Sequence, residues 1–253
     1  MPTPITRLLV LQHVPQEGPG RFAAIAERLG LKVEVLRLDR GDPVPAAPPS
    51  GAILLVMGGP MGVADLGDPR WPFLADEVRL LAACLRDEHP TIGVCLGAQL
   101  LAHAAGARVA PLQRGDPARR DYEVGWGAVH WLVDPAQHPL LTGLERCELV
   151  LHWHGDACAL PAGAEHLAAT LACPVQAFAL RRCVGLQFHV EVDEAMIQAW
   201  LADDAAFVRR AEGPEALARI QADTARFAPQ VRPRWDRLLA NLLRQAMAAG
   251  TPR

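Results

Sequence analysis

Cys95 stands between two glycines, in Gly93-x-Cys95-x-Gly97. Before it lies an apolar, β-branched run, Thr91 to Val94; after it lie good helix formers, Ala98 to Ala105. This is the pattern of a nucleophile elbow, with cysteine in the place of serine. A strand that turns sharply into a helix strains the residue at the corner. Side chains two positions to either side would crowd it, so glycine suits both places. The thiol is then presented beside a helix N-terminus, whose partial positive charge favours the thiolate. The plainer reading is a small buried core cysteine, so partners elsewhere must decide.

Two further groups supply partners. In Gln187-Phe188-His189-Val190-Glu191, His189 and Glu191 are two residues apart on a segment that reads as extended, which puts both on one face. A carboxylate there can hold one ring nitrogen and leave the other to take a proton from a thiol. The alternative is an edge strand with two solvated polar residues. Gly58-Gly59-Pro60 follows an apolar run, Ala52 to Met57. It reads as a plain turn or as part of an oxyanion hole, with the N–H groups of Gly59 and Leu96 as donors. Pro60 has no N–H to offer.

The elements that must position these residues follow a simple order. Arg7 to His13 reads as a buried strand, 20–29 as a helix, 32–38 as a strand, and the Pro-rich 40–50 as a loop. Residues 52–57 form a strand and 71–86 a helix; the elbow then adds another strand and helix. That order predicts an α/β fold with a doubly wound, mostly parallel sheet flanked by helices. Ligands in such sheets bind beyond the C-terminal ends of the strands, where Gly59 and Cys95 both fall. More strands are expected at 108–112, 122–133, 149–152, 175–180 and 183–191.

From Val192 onward the chain reads as helix, broken near Gly213-Pro214 and again between Pro229 and Pro233. The last helix carries Trp235, Leu238, Leu239, Leu242, Leu243 and Ala246 on one face. We therefore divide the chain into a main domain, 1–195, and a helical C-terminal extension, 196–253. The apolar stripe either packs on the sheet or makes a subunit interface, in which case the protein is a homodimer.

The sequence has 253 residues, 51% of them apolar, enough for one large α/β domain with an appendage. The formal charge of -3, with its positives spread along the chain, gives neither a nucleic-acid footprint nor a membrane-surface patch. No apolar run approaches membrane-spanning length, and no signal-like segment follows Met1. The six cysteines show no CxxC pair, which fits free thiols in a reducing cytoplasm.

Taken together, the Gly-Gly-Pro turn, the Gly-x-Cys-x-Gly-x-Gln elbow and the Phe-His-x-Glu segment resemble the class I glutamine amidotransferases, and most closely the glutaminase domain of GMP synthase. His154-Gly155-Asp156 and Glu123-x-Gly125-Trp126 also look like segments of that family, and the likeness runs from about residue 6 to 195. The resemblance implies that Cys95 attacks the side-chain amide of glutamine or a related γ-glutamyl compound. It implies that His189 is base and acid, Glu191 its orienter, and Gly59 and Leu96 the oxyanion hole. Gln99, Gly155 and Asp156 would bind substrate; for Gln99 a helix-surface position is the alternative. No cofactor and no metal are implied.

A full GMP synthase continues into a domain with a Gly-rich phosphate loop, which 195–253 lacks. The chain is thus expected to hydrolyse glutamine alone, to serve a separate synthase subunit, or to act as a non-catalytic binding module. A rival reading is metal binding. His152-x-His154-x-Asp156 resembles the metal-binding stretch of metallo-β-lactamase-like hydrolases, with all three on one face by alternation. Ala157 stands where that stretch continues with His, and the early strand–helix order is wrong for it.

Overall fold

The computed structural model describes residues 3–113 and 120–248. Its centre is a run of aliphatic strands. β1 (Arg7–Gln12), β2 (Lys32–Arg37), β3 (Ala52–Val56) and β4 (Thr91–Val94) pair in parallel in the order β2-β1-β3-β4. Every residue of β3 and β4 is buried, as the unbroken apolar runs require of strands covered on both faces. The intervening helices α1 (Arg21–Arg28), α2 (Phe73–Arg86) and α3 (Leu96–Ala104) cover the two faces. The short β5 (Val109–Pro111) follows.

The second half departs from the expected pattern. β6 (Glu123–Trp131), β7 (Cys147–His154), β9 (Glu165–Ala169), β10 (Ala177–Leu180) and β11 (Cys183–Leu186) complete a nine-stranded sheet, and β8 (Asp156–Cys158) pairs apart from it with β5. β11 lies parallel to β4, but β11-β10-β9-β6-β7 run antiparallel to one another. The sheet is therefore mixed: the expected parallel core, flanked by helices, is extended on one side by antiparallel strands. Hairpin connections allow this, since they need none of the crossover helices that parallel pairing requires. β9 and β8 have no counterpart in the sequence reading.

Two apolar layers sandwich the sheet. One holds Leu74, Leu81, Leu85, Leu100 and Leu101 of α2 and α3. The other holds Phe22 and Ile25 of α1 with residues from the C-terminal helices α4 (Glu194–Asp203), α5 (Ala205–Glu212) and α6 (Ala216–Ala248). The chain breaks between α5 and α6 at Gly213, as expected, but α6 runs unbroken through Pro229 and Pro233. Both prolines sit on its exposed side. A proline frees the carbonyl four residues back, here those of Ala225 and Pro229, and both face water that can satisfy them.

The apolar stripe of α6 is used within the chain. Trp235, Leu238, Leu239, Leu242 and Leu243 are all buried. Trp235 stacks on Trp126 of β6 at 5.4 Å and donates its indole N–H to Leu149 O of β7 at 2.9 Å. Among the described residues no helix is long and apolar enough to cross a membrane.

Candidate active site

The elbow is built as its spacing demands. Cys95 sits at φ 51, ψ -107, between the last residue of β4 and the first of α3. For a residue with a side chain this is strained backbone, held by its surroundings. A Cβ on Gly93 would lie 2.5 Å from the backbone of Gly97, and one on Gly97 would lie 2.2 Å from Val56 O. Both glycines are thus places where backbones meet, and they fix the turn against β3. The Cys95 amide donates to Leu186 O at 2.7 Å, which ties the elbow to the end of β11.

His189 and Glu191 come from just beyond β11. The strand ends at Leu186, so they are not on the extended strand that was expected. His189 instead makes a single antiparallel bridge with Leu151 of β7. The two side chains still meet: His189 Nδ1 lies 2.7 Å from Glu191 Oε1. Glu191 Oε2 accepts from the Val190 N–H, and its own carbonyl accepts from the Arg21 N–H at 2.7 Å. His189 and Glu191 are each 1% exposed. Burial alone would lower the His189 pKa, but the Glu191 carboxylate and the Cys95 sulfur outweigh it and hold the imidazole well above its ordinary range. Cys95 lies against the same ring. The point where a Cβ of Gly58 would stand is 3.5 Å from Cys95 Cβ and 3.4 Å from His189 Cε1.

Gly59, Cys95, Leu96, Gln99, Gly155 and Asp156 line one cavity of about 460 Å³ at the C-terminal ends of the parallel strands. Gln99 is buried, not on a helix surface, and its amide donates to Asp156 O at 3.2 Å and Gln187 Oε1 at 3.1 Å. The Asp156 carboxylate pairs with Arg120 at 2.6 Å. His152, His154 and Asp156 do not share a face. β7 ends at His154 and β8 begins at Asp156, so alternation stops at Gly155. The two histidines turn instead toward Glu123 of β6.

Residues 22–204 match the family model described as glutamine amidotransferase class-I. The chain belongs to that family. It is 40% identical over 134 residues to the protein named GMP synthase [glutamine-hydrolyzing] from Thermomicrobium roseum, a match covering 53% of this chain and 24% of that relative. It thus spans about a quarter of the length of such relatives; the one from Porphyromonas gingivalis, 34% identical over 139 residues, is covered to 26%. Among solved structures it is similar to a glutamine amidotransferase from Thermotoga maritima, with TM-score 0.80 and 25% identity over 96% of this chain and 98% of that one. A glutamine amidotransferase from Methylobacillus flagellatus matches at TM-score 0.80 and 27% identity over 95% of each chain. As a class I glutamine amidotransferase the chain is an enzyme of the cysteine-nucleophile type.

The site of this amidotransferase contains residues that the sequence reading missed. His13 follows β1, and its Nδ1 donates to Gly58 O at 2.8 Å while its Nε2 lies 2.9 Å from Glu77 Oε1 of α2. His13 and Glu77 are fully buried. Burial opposes the charge on His13, but Glu77 prevails and raises its pKa. Position at a parallel strand's C-terminal end was the available signal for His13. For Glu77 the signal was its place between Leu74 and Leu81 on the apolar face of α2. Trp200 of α4 packs edge-on against the His189 ring at 4.8 Å. Glu17 reaches the same cavity, and burial pushes its carboxyl up to about 7 even though His189 and His13 pull it down.

Proposed function

We propose that the protein hydrolyses the side-chain amide of glutamine, or of a related γ-glutamyl compound, and releases ammonia. The observation that carries this reading is a buried imidazole with Glu191 on one nitrogen and the Cys95 sulfur alongside. In this scheme the thiol proton resides on His189 and the Cys95 sulfur attacks the amide carbon. Negative charge collects on the amide oxygen, where the N–H groups of Gly59 and Leu96 receive it. His189 gives its proton to the departing nitrogen and a glutamyl thioester remains. Water, deprotonated by His189, then cleaves the thioester to glutamate.

His13 has a positioning role here. The Gly58–Gly59 peptide is trans, so its N–H points away from its C=O. With the Gly58 carbonyl held by His13, the Gly59 N–H is turned from His13 and aimed at the opposite side. The pocket wall at Gln99, Gly155 and Asp156 suits the amino-acid end of the substrate, with Arg120 and Arg210 supplying positive charge at the mouth.

A second reading is that ammonia passes to a separate synthase subunit and that turnover waits for it. The relatives favour it, since those named GMP synthase [glutamine-hydrolyzing] couple glutamine hydrolysis to a synthase by their name. The six free cysteines suit a cytoplasmic setting. Ammonia release from a panel of γ-glutamyl amides, glutamine included, tests the proposal. Turnover by the isolated wild-type chain, lost in Cys95→Ala, supports hydrolysis. Labelling of Cys95 by a glutamine-like electrophile without turnover supports the subunit reading. Failure of both leaves a binding module.

A further inference from the structure

Behind the amidotransferase cavity, the ends of β6 and β7 bring together three side chains that the proposed hydrolysis does not use. Glu123 faces His154 across the ladder, and His152 faces Gly125. One donor atom from each of Glu123, His152 and His154 falls within 4.8 Å of the others. We infer that these three residues bind one divalent transition-metal ion of the zinc type.

The nitrogens themselves argue for it. His154 donates its Nδ1–H to Asp156 O at 3.0 Å, so Nε2 carries a lone pair in the neutral ring and an N–H only in the imidazolium. That Nε2 is buried and makes no hydrogen bond, although Glu123 Oε2 is only 3.0 Å away. A lone pair set against a carboxylate oxygen is repulsive unless a cation lies between them. His152 is 4% exposed and its Nδ1 also has no partner. The Cδ2–Nε2 edge of this ring lies over Gly127, where a Cβ would meet it at 2.8 Å, so Nδ1 faces the other way. An ion pair between His154 and Glu123 would account for one orphaned nitrogen and leave the second stranded. A metal ion accounts for both.

The surroundings are those of a metal ligand set. Glu123 is oriented by Thr170, which donates at 2.7 Å, and by Gln176, which donates at 2.6 Å. A backbone carbonyl behind one histidine and two donors behind the carboxylate hold such ligands in place. Two imidazoles and one carboxylate suit zinc and its neighbours and not calcium or magnesium, which prefer oxygen alone. Tetrahedral zinc would space the ligand atoms about 3.3 Å apart, within reach of small side-chain rotations from the present spread. The fourth position opens toward a cavity of about 540 Å³ lined by His152, Glu123 and Thr170.

Cobalt(II) titrated into the chelator-treated full chain near neutral pH tests the site, because its spectrum reports the ligands. The expected result is one ion per chain, with ligand-field bands, no thiolate charge-transfer band, and displacement by zinc. His152→Ala and Glu123→Gln should each weaken binding about 100-fold or more, and Gln176→Leu, which removes no ligand, about tenfold. His166→Gln should leave it unchanged. A wild-type chain with no ligand-field band overturns the proposal even if the variants misfold. A thiolate band, which would move the metal to a cysteine, overturns it too, as does wild-type affinity in a folded His152→Ala. Each outcome is read from metal and not turnover, so it is separate from the fate of the Cys95 mechanism.

Discussion

Two histidine–glutamate pairs flank the Gly58–Gly59 turn, and they are built alike. In each the imidazole is buried, a carboxylate lies within 3.0 Å of one ring nitrogen, and the carboxylate raises the histidine pKa against the pull of burial. They differ in what the other nitrogen meets. For His189 it is the neighbourhood of a nucleophilic sulfur, which can give up and take back a proton. For His13 it is a peptide carbonyl, which can only accept. On the mechanism proposed above, the same pair serves as a proton carrier in one place and as a clamp on the backbone in the other. What decides is the partner and not the pair.

The comparison breaks most easily at the sulfur side. His189→Ala should cut kcat by about 10⁶-fold, as Cys95→Ala should, because either change removes the unit that makes the nucleophile. Glu191→Gln keeps the proton carrier and disturbs its orientation, so the loss should be smaller, on the order of 10⁴-fold. Steady-state ammonia release on folded variants checks both. If Glu191→Gln proves the more damaging, the orienting role is wrong.

The clamp side should respond differently. His13→Ala frees the Gly58–Gly59 peptide and should lower kcat by about 10²- to 10³-fold, the usual cost of one oxyanion donor. It also strands a buried Glu77 and should destabilise the fold by about 3–5 kcal/mol. The rate of Cys95 alkylation separates the two pairs. It should stay near wild type in His13→Ala and fall in His189→Ala. Equal falls in both would mean that His13 acts on the thiol and not on the peptide. pH gives a second separation. A histidine whose native pKa is raised stabilises the fold fully below its ordinary value near 6.5, and that stability is lost as pH rises through the native pKa. His13→Gln should therefore flatten the fall of the melting temperature on the alkaline side.

The two pairs were unequally legible in the sequence. His189 and Glu191 are two residues apart, so local spacing brought them together even though the strand expected to carry them stops at Leu186. His13 and Glu77 are 64 residues apart, and only the packing of α2 against the end of β1 joins them. Glu77 follows Asp76 but falls at helical spacing between Leu74 and Leu81, on the buried stripe of α2, so spacing marks it as inward-facing without naming its partner. The elbow was legible for the same reason as His189: Gly93, Cys95 and Gly97 state its geometry within five positions. The parallel half of the sheet was legible from unbroken apolar runs; in the antiparallel half most strands were legible but β9 and the pairing were not, because register is set by hairpins between moderately apolar strands. Pro229 and Pro233 misled because a proline's effect depends on whether water reaches the freed carbonyls.

Glu17 sharpens the comparison most finely, because it feels both pairs. Its carboxyl lies against Gly58, with its oxygen 2.3 Å from where a Cβ of that residue would stand. Burial raises its pKa from 4.5 to about 7, while the positive rings of His189 and His13 oppose the rise and Glu191 and Asp204 add to it. Between these values the native chain holds a proton that the unfolded chain has released. Stability must then fall as pH rises from about 4.5 toward 7, since folding requires the group to stay protonated or to bury its charge. Glu17→Gln removes the titration and should flatten the melting temperature over that window, leaving the alkaline fall due to the histidines in place. It should also remove one bend near pH 7 from the profile of kcat/KM, because a charge beside His189 that appears in that range is lost. An unchanged melting profile between pH 4.5 and 7 would mean that burial does not hold Glu17 protonated over that range.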